Sequence, residues 1–208
     1  YSMKVLLING SPHEKGCTYT ALSLIAGELK AQGIETEILH VGGQPVGGCI
    51  GCGGCRSGNG CVFGGVVNEA IEKAKTADAF VFGSPVHYAS AAGNMASFMD
   101  RLAYAGGKYL AYKPAAVCCS ARRAGTTSTL DQLVKYPQFF HMPLVNGSYW
   151  AMVHGSNPEQ VLQDAEGCAV MQELGRNMAW LLRCIEAGKA AGIDHPQNPP
   201  RPMTNFIR

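Results

Sequence analysis

The stretch Met3-Lys4-Val5-Leu6-Leu7-Ile8-Asn9-Gly10-Ser11-Pro12-His13-Glu14-Lys15-Gly16-Cys17-Thr18 decides the fold. Met3–Asn9 is an almost continuous apolar run, which suits a strand buried on both faces rather than one with a wet side. The residues that follow turn the chain, and Thr18–Ala31 then carries Leu22, Ile25, Ala26 and Leu29 on one helical face before Gly33 stops it. A doubly buried strand feeding straight into an amphipathic helix is the first half of a βαβ unit. The turn between them suits a phosphate. Ser11 and Thr18 offer hydroxyl donors, successive backbone N–H groups line the bend, and the helix N-terminus favours an anion. It is neither a Walker A loop nor a Gly-x-Gly-x-x-Gly fingerprint. The plain alternative is an ordinary strand-to-helix turn with Thr18 as N-cap.

Outward from that unit the alternation continues. Glu35–Val41 reads as a second strand, followed by a long Gly- and Cys-rich loop, 42–65. Val66–Lys75 reads as a helix with Val67, Ala70, Ile71 and Ala74 inward. Ala79–Gly83 is a third buried strand, Asn94–Leu102 a helix, Ala115–Ser120 a fourth strand entered from Pro114, and Thr127–Lys135 a helix. Pro143–Tyr149 is the expected fifth strand, Pro158–Gly188 one long helix, and 189–208 an extended Pro-rich tail. Five strands alternating with helices imply an α/β fold with a five-stranded parallel sheet between two helical layers, spanning residues 3–188. Ligands of such folds bind beyond the carboxyl ends of the strands, near the point where the strand order reverses.

Composition narrows the function. The 208 residues are 47% hydrophobic and 15% charged, an ordinary globular balance, and the net charge of +2 gives no field to attract nucleic acid or anionic lipid. It also argues against a strongly acidic electron shuttle. The long uncharged stretch Ala79–Met99 is interrupted by Gly83, Pro85, Gly93 and Asn94 and is no membrane span. Met3 reads as a natural start, Val5–Ile8 is too short for a signal-peptide core, and the expected location is cytoplasmic.

Nine cysteines are present, and four of them form Cys49-x2-Cys52-x2-Cys55-x5-Cys61. Without a secretory signal this favours metal or redox chemistry over disulfides. Four thiolates this close can fold around one iron–sulfur cube, and the glycines among them let the backbone turn. A structural zinc site is the chemical alternative, although two Cys pairs separated by a longer loop are more usual there. Unligated loop cysteines are the third reading.

Met-Lys-Val-Leu-Leu-Ile-Asn-Gly-Ser-Pro followed by Gly16-x-Thr18 resembles the opening of the NADPH-dependent FMN reductase family of flavodoxin-like proteins. The resemblance implies that Ser11, Gly16 and Thr18 grip the phosphate of FMN. His13 and Cys17 depart from the family pattern, in which Arg and Asn are common; His13 still carries a donor, whereas Cys17 is a weak one. Ser84-Pro85-Val86-His87-Tyr88 is similar to the family's Ser-Pro-Val-Tyr loop, which wraps the isoalloxazine ring, and Phe98-Met99-Asp100-Arg101 resembles its Phe-x-Asp-Arg. Pro85, Val86, His87 and Tyr88 then supply flat apolar contact and backbone donors. Tyr88 as a core aromatic, and Asp100-Arg101 as a structural salt bridge or helix-end pair, are the plain alternatives. The third flavin loop of the family falls on Ser120, Ala121 and Gly125. Arg122 and Arg123 beside it suit an anionic substrate or nucleotide phosphate, or are a solvated pair; Cys118 and Cys119 read as inert core thiols. The cysteine spacing is similar to that of iron–sulfur flavoproteins, which carry FMN and a four-iron cluster, although Gly64-Gly65-Val66 stands where those often have an acidic pair.

The expected protein is therefore an FMN-dependent oxidoreductase with a [4Fe-4S] cluster on Cys49, Cys52, Cys55 and Cys61. Its donor is NAD(P)H, another small molecule or a ferredoxin-type protein, and its assembly a homodimer or homotetramer. The alternatives are a cluster-free NAD(P)H-dependent flavin or quinone reductase and a non-enzymatic flavodoxin-type carrier or flavin-dependent sensor.

Overall fold

The computed structural model describes residues 2–206. Its elements run β1 (Lys4–Asn9), α1 (Cys17–Ala31), β2 (Glu35–His40), a 3-10 turn (Gly54–Ser57), α2 (Val66–Thr76), β3 (Ala79–His87), β4 (Ser90–Ala91) and α3 (Gly93–Gly106). After a second 3-10 turn (Gly107–Tyr109) come β5 (Ala115–Ala121), α4 (Thr126–Phe139), β6 (Met152–His154), α5 (Pro158–Val161) and α6 (Ala165–Ala190). The parallel strands lie in the order β2-β1-β3-β5-β6, with β4 paired back onto β3. Chain direction across the sheet reverses between β1 and β3, so the ligand-binding crevice of this flavodoxin-like arrangement lies beyond Asn9 and Gly83, which are register partners.

Every residue of β1 from Val5 to Asn9 is buried because both faces of the strand are covered. Val5 and Leu7 point to the layer of α1 and α6, where they pack with Leu22, Ile25, Leu174 and Met178. Leu6 and Ile8 point the other way, to Ile71, Phe98, Met99 and Leu133 of α2, α3 and α4. The two-residue alternation of a strand thus divides one apolar run between two cores.

Several boundaries differ from the sequence reading. Pro143–Tyr149 is not the fifth strand: Leu144 makes only an isolated bridge with Ala115, and the edge strand is Met152–His154. The run Val145-Asn146-Gly147-Ser148 breaks the extension, and Ser148 is held instead by the Glu173 carboxylate at 2.7 Å. The expected helix Pro158–Gly188 is two helices. Asp164 interrupts it and caps α6, accepting from the Gly167 N–H at 3.0 Å and from the His154 N–H at 2.8 Å. The second helix continues to Ala190. Strand β3 runs past Gly83 to His87 and doubles back. Residues 191–206 form no helix or strand, but His195 stacks on Tyr112 at 4.3 Å and Asn198 donates to its hydroxyl at 2.6 Å; residues 207–208 of the expected tail lie outside the described residues. Among those described, no helix is long and apolar enough to cross a membrane.

Candidate functional site

Three loops leave the sheet at its carboxyl edge and are joined there. Gly10 N–H donates to the Gly83 carbonyl at 2.9 Å, linking the loops after β1 and β3. The Thr18 and Ser120 hydroxyls share a hydrogen bond of 2.8 Å, linking α1 to the end of β5. A Cβ on Gly125 would stand 2.7 Å from Ala89 Cα and 2.8 Å from Val86, so the second and third loops meet at van der Waals distance only because residue 125 is glycine.

The first loop is organised by Asn9. This buried side chain donates to the Glu14 carbonyl at 2.9 Å and accepts from the Ser11 N–H at 3.1 Å, curling residues 10–16 over the strand end. Ser11 is buried, and its Oγ accepts from His13 N–H at 3.1 Å; His13 itself is exposed. Thr18 is not the N-cap. Gly16 holds that position without a side-chain cap, so the first-turn N–H groups of α1 meet no capping oxygen from the chain. An uncapped N-terminus with hydroxyls beside it is a receptor for a terminal phosphate. The thiol of the half-buried Cys17 donates to the Gly155 carbonyl at 3.5 Å, and burial raises its pKa.

In the second loop Tyr88 and Ala89 both adopt left-handed backbone, φ 49° and 58°, forming a two-residue hairpin turn without the usual Asn-Gly. The turn is held from α4: Ser128 Oγ donates to the Ala89 carbonyl at 2.6 Å, and Gln132 accepts from Ala91 N–H at 2.9 Å. Tyr88 is not a core aromatic; it is fully exposed, and His87 beside it is exposed, while Pro85 and Val86 are half-buried. In the third loop Ser120 and Ala121 are buried, and Arg122 and Arg123 are exposed. Burial pushes the Cys119 thiol up to about 12 and Cys118 further still, so both stay protonated core thiols.

Cys49, Cys52, Cys55 and Cys61 line one cavity of about 300 Å³. Its other walls are Arg56, Phe63, Arg101 and Tyr104 with small and aliphatic residues, and no carboxylate or imidazole among them. Among the described residues no three His, Cys, Asp or Glu side chains converge as a metal-ligand group. The side chains that line the cavity offer soft thiols and no hard oxygen donor, a lining that suits zinc or iron–sulfur rather than hard cations. Gly51, Gly53, Gly58 and Gly60 all have positive φ, which lets the loop coil within a few residues. Asn68 grips Cys61 by both main-chain groups, at 2.8 and 3.0 Å.

The sequence reading missed what holds this loop. Asp100 and Arg101 are not a pair: Asp100 accepts from the Tyr136 hydroxyl at 2.6 Å, while the buried Arg101 donates to Cys61 Sγ at 3.3 Å and to the carbonyls of Gly47 at 3.3 Å and Gly64 at 3.0 Å. Asn94, two turns earlier, holds Gly42, Gln44 and Val46. Asn94, Ser97 and Arg101 stand three and four residues apart, one polar stripe on α3, and that spacing was the available signal.

The model of the NADPH-dependent FMN reductase family matches residues 3–157. An iron–sulfur flavoprotein of Methanocaldococcus jannaschii is 28% identical over 88% of this chain and its own full length. One from Archaeoglobus fulgidus is 36% identical over 48% of each chain. In fold, the crystal structure of RosB with bound 8-demethyl-8-formylriboflavin-5'-phosphate is similar, with a TM-score of 0.69 at 15% identity over 100% of this chain and 94% of that one. The uncapped first turn of α1 and its hydroxyl neighbours suit the flavin phosphate of such a family. The chain belongs to the NADPH-dependent FMN reductase family and is an FMN-dependent oxidoreductase of flavodoxin-like fold.

Proposed function

We propose that this oxidoreductase passes electrons between FMN at the carboxyl edge of the sheet and a four-iron cluster held by Cys49, Cys52, Cys55 and Cys61. The observation that carries the reading is the cavity on which those four thiols, and no carboxylate or imidazole, open. When bound, FMN exchanges electrons in pairs as hydride or singly, and a cluster exchanges them singly.

The chain's own groups do the positioning. Ser11, the backbone N–H groups around Gly16 and the first turn of α1 hold the phosphate, and the buried Thr18–Ser120 hydrogen bond fixes the floor of the cup. Pro85, Val86, His87 and Tyr88 would supply contacts to the ring, and Ser120, Ala121 and Gly125 would supply close backbone. Arg122 and Arg123, exposed at the rim, suit an anionic donor such as NAD(P)H. A ferredoxin-type protein is the alternative donor, and assembly as a homodimer or homotetramer in the cytoplasm completes the proposal. The cysteine loop starts beside the phosphate loop, where His40 Nε2 meets the Ser11 carbonyl at 2.7 Å, and runs along α3.

The test is anaerobic reconstitution with iron and sulfide. The wild-type chain is expected to take up iron and sulfide and to gain a broad visible shoulder beside the flavin bands, and Cys52→Ala/Cys55→Ala to gain neither. Equal iron in both proteins overturns the cluster and leaves a cluster-free NAD(P)H-dependent flavin or quinone reductase, the reading that the family's own description favours. Absence of any turnover with small reductants points instead to a flavodoxin-type carrier.

A further inference from the structure

We propose that Arg101 is the positioning residue of the cysteine loop. It closes the two ends of that loop on one guanidinium and presents an N–H to the sulfur of the fourth cysteine. The second half of this statement rests on the cluster reading above; the first half does not.

Four observations carry it. The Gly47 and Gly64 carbonyls, which accept from Arg101 at 3.3 and 3.0 Å, lie two residues before Cys49 and three after Cys61 in sequence. The guanidinium therefore ties together the points where the ligand segment begins and ends. Its Nε is directed at Cys61 Sγ at 3.3 Å. The side chain is only 7% exposed, so these partners are not exchanged for water. The Phe63 ring, 5.7 Å from the guanidinium carbon, covers it. Among the groups that line the cavity Arg56 is the other cation, and it is exposed.

The guanidinium places its donors on three separate nitrogens, so Nε, Nη1 and Nη2 each serve a different acceptor, a span that the single nitrogen of an ammonium does not have. Closing an 18-residue segment, 47–64, is opposed by chain entropy, and tethering its ends lowers that cost before any metal arrives. Beyond geometry, an N–H directed at a ligand sulfur withdraws electron density from it. It stabilises the reduced cluster and raises its potential, as other hydrogen bonds to cluster sulfurs do. Arg101 sits on α3, the helix whose N-terminus follows the flavin hairpin, so one rigid element carries both the loop anchor and the flavin loop's exit.

The variants are Arg101→Lys, which keeps the charge without the fork, and Arg101→Gln, which removes both. Retained FMN affinity reports that each is folded, since Arg101 is not among the residues assigned to the flavin. The first measurement is amide hydrogen exchange of the metal-free, FMN-loaded chain. Residues 47–64 are expected to exchange at least tenfold faster in both variants, with α1 and β3 unchanged; equal exchange in wild type and variants overturns the clamp. The second is the midpoint potential of the reconstituted cluster, expected to fall in Arg101→Gln. An unchanged potential overturns the hydrogen bond to the ligand. A wild-type chain that takes up no iron removes the cluster and with it that hydrogen bond, and the exchange experiment alone then decides the clamp.

Discussion

At the scale of single residues, side chains with one dominant chemical use were legible and those defined by their neighbours were not. Ser11 and Thr18 stand out as hydroxyls at a strand-to-helix turn, and the structure brings both to the strand ends, buried. Thr18, however, bonds to Ser120, 102 residues away, a partner that no local pattern reveals. The same holds for Arg101, whose three acceptors come from both ends of a long loop. Ser11→Ala and Thr18→Ala are each expected to weaken FMN binding about tenfold or more, since a hydrogen bond to a charged acceptor contributes roughly 1.5–3 kcal/mol. Thr18→Ala acts partly by leaving the buried Ser120 hydroxyl without its partner. Titration of the apoprotein with FMN, followed by flavin fluorescence, measures both; unchanged affinity in the two variants places the phosphate elsewhere.

At the scale of elements, helices α1 to α4 and strands β1, β2, β3 and β5 were readable because their periods are strong. The failures fell where an element is short or capped by a distant group. Strand β6 has three residues, too few for a period, and the break before α6 is made by an Asp164 that also holds β6. The β3–β4 hairpin was hidden because Tyr88-Ala89 carries none of the residues that usually signal a two-residue turn; α4 holds it through Ser128 and Gln132. Strand β2 is the edge of the sheet, and Glu37 ties it to β1 through Lys4 and to α2 through Lys73, at 2.6 Å in the latter case. Hydrogen bonds from Lys4 and then Lys73 lower the Glu37 pKa below its ordinary 4.5. A lowered folded-state pKa contributes stability that is present above the unfolded value and disappears as pH falls through the folded one. Glu37→Gln is therefore expected to be less stable than wild type at pH 7, by about 0.2–1 kcal/mol per half-exposed pair. The gap should close as pH drops below about 4. Urea unfolding at pH 7 and at pH 3 checks this; a gap of the same size at both values assigns the effect to packing rather than charge.

At the scale of the whole molecule, the alternation of strand and helix was enough to point to a candidate site, because a parallel sheet with reversed winding leaves its crevice at one predictable edge. The sheet order puts that reversal between β1 and β3. FMN is the flavin of the family's own description, the proposed phosphate role of the first loop agrees with it, and no second nucleotide fingerprint is present in the sequence to hold an adenylate. Flavin released by heat from the purified chain is expected to be FMN by mass spectrometry, and FAD as the main species contradicts the cup. What neither the winding nor the composition reveals is how many electrons the molecule stores, which depends on the cysteine loop. The most direct measurement is an anaerobic reductive titration of the FMN-loaded, iron- and sulfide-reconstituted chain, with dithionite as titrant and absorbance and paramagnetic resonance as readouts. The account predicts uptake of about three electron equivalents per chain, about two by the flavin and one by the cluster, with a cluster resonance appearing at low temperature. Uptake of about two, with no such resonance, contradicts it.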